Sequence, residues 1–89
     1  MNSKKEHKPN TPDIGLLQIF EAVHHTGSFQ SAGKQMKVTT SAISQAMQRL
    51  ESQVGQTLID RSQRPIALTH FGHRYLPLAK QLINAARTY

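Results

Sequence analysis

The chain has 89 residues, a length that fits one small domain. It carries 11 Lys and Arg against 5 Asp and Glu, a formal charge of +6, and it has no cysteine. This composition excludes a disulfide scaffold and a thiolate metal site, and no apolar stretch approaches the roughly 18 residues that cross a bilayer. The length excludes a large α/β enzyme built around a deep cofactor cleft. Small basic domains most often bind a polyanion, and nucleic acid is the first candidate.

The N-terminal part of the chain predicts a tail followed by a helix. Residues 1–10 are basic and lack an apolar run, which predicts a disordered tail that is either solvated or in contact with phosphates. A helix is then predicted to begin at Thr11-Pro12-Asp13, with Thr11 as its candidate cap, and to end near Thr26. Its apolar stripe consists of Ile14, Leu16, Leu17, Ile19, Phe20 and Val23.

Two further helices are predicted in the middle of the chain. The second runs from a Ser28 cap to about Met36, and Gly33 within it indicates that another backbone passes close by. The turn that follows must bury one apolar residue, and Val38 is the candidate. The third helix is predicted over about residues 40–54, with an apolar stripe of Ile43, Ala46, Met47, Leu50 and Val54.

The C-terminal part predicts a hairpin and a long helix. Two β-compatible runs, 57–60 and 66–68, flank the loop 61–65. Thr69 is a candidate cap for a fourth helix, which Pro77 is expected to bend. This element order is that of a mainly α winged helix-turn-helix.

The domain boundaries follow from this order of elements. The helix-turn-helix domain, a three-helix core with a small hairpin wing, is expected over residues 11–68. A linker and dimerisation helix is expected over residues 69–89.

The outer face of the third helix has the chemistry of a nucleic-acid reader. Its Ser, Thr and Gln side chains exchange hydrogen bonds with base edges and phosphates in a major groove about 12 Å wide. The candidates for base contacts are Thr40, Ser41 and Gln45. The candidates for phosphate contacts on this helix and at its start are Thr39, Ser44, Gln48 and Arg49. Capping is the alternative for the hydroxyl residues, and an internal ion pair is the alternative for Arg49.

Residues outside the third helix extend the predicted DNA contacts. The phosphate candidates on or near the second helix are Ser28, Lys34 and Lys37. Arg64 lies at the hairpin tip, where a minor groove would pass, and narrow minor grooves favour arginine. Arg61 either contacts DNA or braces the fold through a carboxylate such as that of Glu51.

The fourth helix has more apolar surface than a three-helix core can cover. Exposed, this surface would be an unusual patch, and pairing with a second copy would bury it. The side chains expected to form this homodimer contact are Phe71, Tyr75, Leu78, Leu82, Ile83 and Ala86. A two-fold dimer would present its recognition helices to half-sites about 34 Å apart. The alternative is that this face packs on the hairpin of its own chain.

Neither a metal site nor a catalytic site can be argued from the sequence. His70 and His73 are three residues apart, and His24 and His25 are adjacent, but no third ligand is placed near either pair. Five acids in all allow no argument for a Ser-His-Asp or paired-carboxylate arrangement. We therefore expect no metal, no cofactor and no enzymatic activity.

An ordered set of residues resembles the N-terminal DNA-binding domain of LysR-type bacterial transcriptional regulators. The matching residues are Gly27-Ser28-Phe29, Ala32, Val38, Ile43-Ser44-Gln45, Arg49-Leu50-Glu51, Val54-Gly55, Leu58, Arg61, Leu68-Thr69, Gly72 and Leu76-Pro77. With the first helix included, the match covers about residues 13–89. The family usually has Ser-Gln-Pro, with base contacts from the Gln and Pro, where this chain has Thr39-Thr40-Ser41. The base preference of relatives therefore does not transfer.

The resemblance implies a DNA-binding protein that dimerises through its last helix. The recognition helix, about 40–54, would enter the major groove, and the wing, about 61–65, would lie at the minor groove. The family also has a C-terminal effector domain that this chain lacks, so we expect a DNA-binding fragment of a longer regulator or a natural short form. It would act on double-stranded DNA in the cytoplasm, at the nucleoid, with no membrane and no small-molecule ligand.

Two alternatives to this functional interpretation remain open. One is another winged-helix DNA binder of the MarR or ModE type. The other is a protein-interaction module that forms heterodimers with a regulator through the last helix.

Overall fold

The structure is a computed structural model, and it describes residues 13–88. Within that range the chain forms α1 (Ile14–Thr26), α2 (Phe29–Met36), α3 (Thr40–Val54), β1 (Ile59–Asp60), β2 (Ala67–Leu68) and α4 (His70–Thr88). This order confirms the predicted winged helix-turn-helix. The tail predicted over residues 1–10 lies outside the described residues.

Short polar side chains begin α2 and α3, and glycines end α1 and α3. The hydroxyls of Ser28 and Thr39 each accept a hydrogen bond of 3.0 Å from the backbone N–H three residues later. Gly27 and Gly55 end α1 and α3 with φ angles of 84° and 81°. These left-handed conformations strain residues that carry a Cβ atom, which is why glycine suits both positions.

The cap of α1 differs from the prediction. Asp13 occupies the cap position, and its Oδ1 accepts a hydrogen bond from the N–H of Gly15 at 2.9 Å. The prediction that Thr11 caps this helix was wrong, because the helix begins at Ile14 and so places Asp13, not Thr11, directly before its first turn.

The core lies between the four helices and the hairpin. The largest fully buried side chains are Phe20, Leu17, Ile43, Met47, Leu50, Leu58, Ile59 and Val23. The apolar stripes predicted for α1 and α3 are therefore confirmed, with Val54 half-buried at the end of the second stripe. Burial of one side of α3 turns its polar side away from the core.

The turn between α2 and α3 packs through its backbone. A Cβ atom on Gly33 would lie 2.8 Å from the carbonyl oxygen of Val38, and the Val38 N–H donates to the Gly33 carbonyl at 2.9 Å. The prediction that Val38 is buried was wrong, because this side chain is 44% exposed. The backbone of the turn fills the space beside Gly33, so the valine side chain points outward.

The hairpin is shorter than predicted, and a backbone hydrogen bond connects it to the rest of the fold. Its antiparallel register pairs Ile59 with Leu68 and Asp60 with Ala67. The N–H of Ile66 donates to the carbonyl of Gly27 at 2.8 Å, and this bond joins the wing to the turn between α1 and α2.

A local bond network shapes the start of the wing loop. The Asp60 carboxylate accepts hydrogen bonds from the hydroxyl and the N–H of Ser62, at 2.6 and 3.0 Å. These bonds hold the pKa of Asp60 below its usual value, because they stabilise the charged form.

Thr69 caps α4, as predicted. Its Oγ1 accepts from the N–H of Gly72 at 2.9 Å and donates to the carbonyl of Thr57 at 2.6 Å. The cap therefore also links α4 to the chain that leads into β1. Pro77 lies inside the helix and is exposed.

The apolar residues of α4 divide between two faces. Ala79 and Ile83 are 0% and 3% exposed and belong to the core. Leu78 and Leu82 are 53% and 39% exposed. Ile83 therefore lies in the core of its own chain and not on the face predicted for dimerisation, because the rotation of α4 turns it inward.

Two aromatic residues lie at the border between these faces of α4. Phe71 and Tyr75 are half-buried and stack with ring centroids 5.9 Å apart. Burial raises the pKa of the Tyr75 phenol, which stays protonated at neutral pH.

Candidate nucleic-acid interface

The outward side of α3 gathers the predicted base-contact residues on one surface. Exposed residues along its first three turns are Thr40, Ser41, Ala42, Gln45, Gln48 and Arg49. Ser44 is half-buried at the edge of this surface, and Thr39 is exposed at the cap. The recognition surface, as we name the exposed face of residues 40–49, is a convex polar ridge with the size and chemistry to enter a major groove.

Arg49 lies on one flank of the recognition surface. No acid among residues 13–88 is within ion-pair distance of its guanidinium, so the internal pair considered from the sequence does not form there. Arg49 and Gln45 line an open groove of about 420 Å³ together with Asp13 and Gly15 at the start of α1. The guanidinium is thus placed where it can meet a phosphate.

The bracing role considered for Arg61 is present in the structure. Its Nη2 lies 3.7 Å from Oε1 of Glu51, and its guanidinium carbon lies 5.0 Å from the centre of the Phe29 ring. Because these two contacts come from α3 and α2, Arg61 connects the wing to both helices of the helix-turn-helix. Its side chain is still 41% exposed, which leaves room for a second partner.

Arg64 folds back onto its own loop. Its Nη1 donates to the carbonyl oxygens of Arg61 and Gln63, at 2.7 and 3.0 Å. These bonds orient the guanidinium at the tip of the wing, and the residue stays exposed. A positive charge is therefore held in place at the part of the wing that the sequence assigned to a minor groove.

A small cavity of about 250 Å³ joins the wing to the start of α2. Its lining consists of Ser28, Phe29, Arg61, Arg64 and Ile66. The structure thus brings Ser28 together with both wing arginines. Lys34 and Lys37 are exposed at the other end of α2, near the turn into α3.

Glu51 has a role in this site that the sequence analysis did not foresee. Its Oε2 accepts hydrogen bonds from the N–H groups of Leu58 and Ile59, at 2.8 and 3.3 Å. The carboxylate therefore joins the end of α3 to the first strand of the hairpin, besides facing Arg61. The sequence did contain a clue to this role, because Glu51 is the only acidic residue of α3 and lies shortly before β1.

Replacing Glu51 with alanine is expected to lower the free energy of unfolding by about 2–4 kcal/mol, because two backbone donors lose their acceptor. Urea unfolding followed by circular dichroism measures this change. Glu51→Gln is the matched control, since it keeps an oxygen for the Leu58 N–H, and we expect it to cost about 1 kcal/mol. Equal losses for both variants would show that the charge facing Arg61, and not the amide bonds, carries the energy.

Residues 13–88 contain neither a metal-binding cluster nor a membrane-spanning helix. Nowhere in that range do three or more His, Cys, Asp or Glu side chains cluster closely enough to bind a metal ion. No helix in the same range has the length and apolar character that crossing a membrane requires.

Comparison with protein families shows a match over most of the described residues. The model of the bacterial regulatory helix-turn-helix proteins of the lysR family matches residues 14–73. An uncharacterized HTH-type transcriptional regulator in the ibpB–leuC intergenic region of Azotobacter vinelandii is 38% identical over 72 residues, which are 81% of this chain and 50% of that protein. The chain spans about a quarter to a half of the length of the curated relatives it matches.

Solved structures with the same fold include complexes with DNA, among them those of CbnR and DarR. The CbnR_DBD–DNA complex superposes with a TM-score of 0.82 at 34% identity, covering 86% of this chain and 88% of that one. Vibrio fischeri DarR in complex with DNA superposes with a TM-score of 0.85 at 29% identity, covering 88% of this chain and 27% of that one.

Proposed function

Because the chain belongs to the LysR family of bacterial helix-turn-helix regulators, we propose that it binds duplex DNA and serves as the DNA-binding part of a transcription regulator. The observation that carries this proposal is the recognition surface, an exposed polar face on α3 whose opposite side is locked into the core. Support comes from related proteins whose structures contain DNA, among them DarR and CbnR. In this arrangement α3 enters the major groove and the wing lies at the minor groove.

Affinity in this proposal comes mainly from phosphate contacts. The exposed cations that we assign to these contacts are Lys34, Lys37, Arg49, Arg61 and Arg64. Each phosphate they neutralise releases counterions, so binding weakens as salt rises. The hydroxyls of Ser28, Thr39 and Ser44 supply neutral donors to the same backbone. Base selection then depends on the uncharged side chains of α3.

Dimerisation through α4 is the second part of the proposal. Leu78 and Leu82 form an exposed apolar face on this helix, continued by Ala86 and bordered by the half-buried Phe71 and Tyr75. A second copy packed against this face would remove it from water. Because a two-fold dimer presents two copies of α3, it would bind an interrupted inverted repeat with half-sites about 34 Å apart.

The relatives also bear on the alternatives. They are transcription regulators, which points to a role other than catalysis. An interaction module that only forms heterodimers through α4 needs neither the recognition surface nor the wing arginines. A protein that binds chromosomal DNA works in the cytoplasm, at the nucleoid, and we propose this location for the chain.

Selection of random duplexes by the purified 89-residue chain, followed by sequencing, tests the proposal. We expect enrichment of an interrupted inverted repeat. The affinity for it should fall with salt by about 0.9 log units per log unit of salt for each phosphate contact. A scrambled duplex of equal length is the control. Absence of binding even at low salt, together with heterodimer formation when a full-length regulator is added, would instead support the interaction module.

A further inference from the structure

We propose that Gln45 is the specificity-determining residue of α3 and that it reads an adenine in each half-site. This inference rests on the proposed DNA-binding function. It places the main base contact of this chain in the second turn of the helix, beyond the Gln and Pro positions that its relatives use. Three features of the recognition surface support this position.

The first feature is the orientation of Gln45. Ser41, Gln45 and Gln48 follow a spacing of four and three residues, which stacks them along one line of a helix. The buried residues Ile43 and Met47 lie on the opposite side, at 0% exposure. The three polar residues therefore form the crest of the recognition surface, and all three are exposed.

The second feature is reach. In a helix-turn-helix, the N-terminal part of the recognition helix contacts base edges. The first turn of α3 presents Thr40 and Ser41, whose hydroxyls end close to the backbone and cannot make a two-point contact with a base. Gln45 is the first crest residue with a side chain long enough to do so.

The third feature is the chemistry of the free amide. No residue between 13 and 88 forms a hydrogen bond with the Gln45 side chain, so its carbonyl and its NH₂ group both await a partner. A carboxamide presents an acceptor and a donor side by side, which matches the N6 amino group and N7 of adenine. Guanine instead presents two acceptors, which arginine or lysine satisfies, and the one cation of the recognition surface, Arg49, lies a further turn along α3.

Arg49 does not replace Gln45 in this role. It lies one turn beyond Gln45, on the flank of the crest that faces the groove shared with Asp13 and Gly15 of α1, and Gln45 lines the same groove. A strand of DNA that crosses the edge of α3 passes over this flank, so Arg49 is placed for a phosphate. The charge and the base contact thus lie about one helix turn apart along α3.

A specificity exchange tests the proposal. Random duplexes are selected with the unmodified 89-residue chain, with Gln45→Arg and with Gln53→Arg. Gln53 is exposed near the end of α3, away from the crest, so its variant adds the same charge without touching a base. We expect Gln45→Arg to change one selected base per half-site from adenine to guanine, and Gln53→Arg to leave the selected sequence unchanged. For each two-point contact, the ratio of the affinities for the adenine and guanine duplexes should change by about 5- to 150-fold between the two proteins.

A modified base provides the second measurement. Replacing the assigned adenine by 7-deazaadenine removes the N7 acceptor and keeps the base pair. This replacement should weaken binding of the unmodified chain and leave binding of Gln45→Ala unchanged. A Gln45→Arg variant that selects the original sequence with a steeper salt dependence would place residue 45 on a phosphate and overturn the inference, while DNA binding itself stands. Failure of the unmodified chain to bind DNA at all would overturn both.

Discussion

Replacing Leu78 and Leu82 together by glutamate is expected to make the chain monomeric and to weaken its binding to an inverted repeat by about 100-fold or more. The two leucines are 53% and 39% exposed, so their replacement leaves the core intact. Four carboxylates would instead meet across the proposed two-fold axis, without partners. Loss of the dimer removes the second recognition helix, and joint binding of two linked sites contributes about 10²- to 10⁴-fold to affinity. Sedimentation and duplex titration measure the two effects.

The control for this experiment is the pair Lys80→Gln and Gln81→Glu. It changes the charge of α4 by the same amount, on exposed positions of the same helix outside the apolar face. We expect this variant to stay dimeric, with only the modest affinity loss that added negative charge causes on DNA. Binding to a single half-site should be similar for both variants. A leucine double variant that still sediments as a dimer would show that another surface holds the two copies together.

Replacing Gly72 with alanine is expected to cost about 3 kcal/mol or more in the free energy of unfolding. The added Cβ atom would overlap the carbonyl oxygen of Leu58 and lie 3.2 Å from Cβ of Leu68. Because the obstacle is backbone, relief requires α4 to move away from the hairpin, and overpacking of this kind costs 1–3 kcal/mol or more. Urea unfolding of the variant and of the unmodified chain gives the difference. The wing should shift as well, so the folded fraction should bind DNA more weakly.

Gly55→Ala is the control that distinguishes the cost of steric overlap at Gly72 from the cost of a left-handed backbone conformation. Gly55 has a φ of 81°, but a Cβ atom there meets nothing within 4 Å. Its replacement should therefore cost only the left-handed backbone strain, about 1–2 kcal/mol. Similar losses at both glycines would mean that α4 does not pack as closely on the hairpin as the structure indicates.

The helices of this protein were predictable because their signals are local. Ser28, Thr39 and Thr69 cap the helices that follow them, and the apolar stripe of α3 is buried as its spacing predicts. A cap bonds to an amide three residues away, and a stripe reflects the repeat of a single helix. Such features depend on neighbours within a turn or two.

The errors fall where packing between distant segments decides the outcome. Val38 is exposed because its carbonyl, and not its side chain, meets Gly33. Ile83 is buried because α4 packs against α1 and the hairpin with this side of the helix turned inward. From the stripe of α4 alone, residues that face the core and residues that face outward look alike.

The candidate site also combines features that are local in the sequence with features that depend on packing. The polar, acid-poor character of the recognition surface and the excess of positive charge follow from residue types at helical spacing, so both could be predicted from the sequence. The bonds from Glu51 to the amides at the start of the hairpin, and the place of Arg61 between Glu51 and Phe29, depend on the packed fold. Those contacts join segments that lie apart in the chain, and they exist only once α2, α3 and the hairpin have packed together.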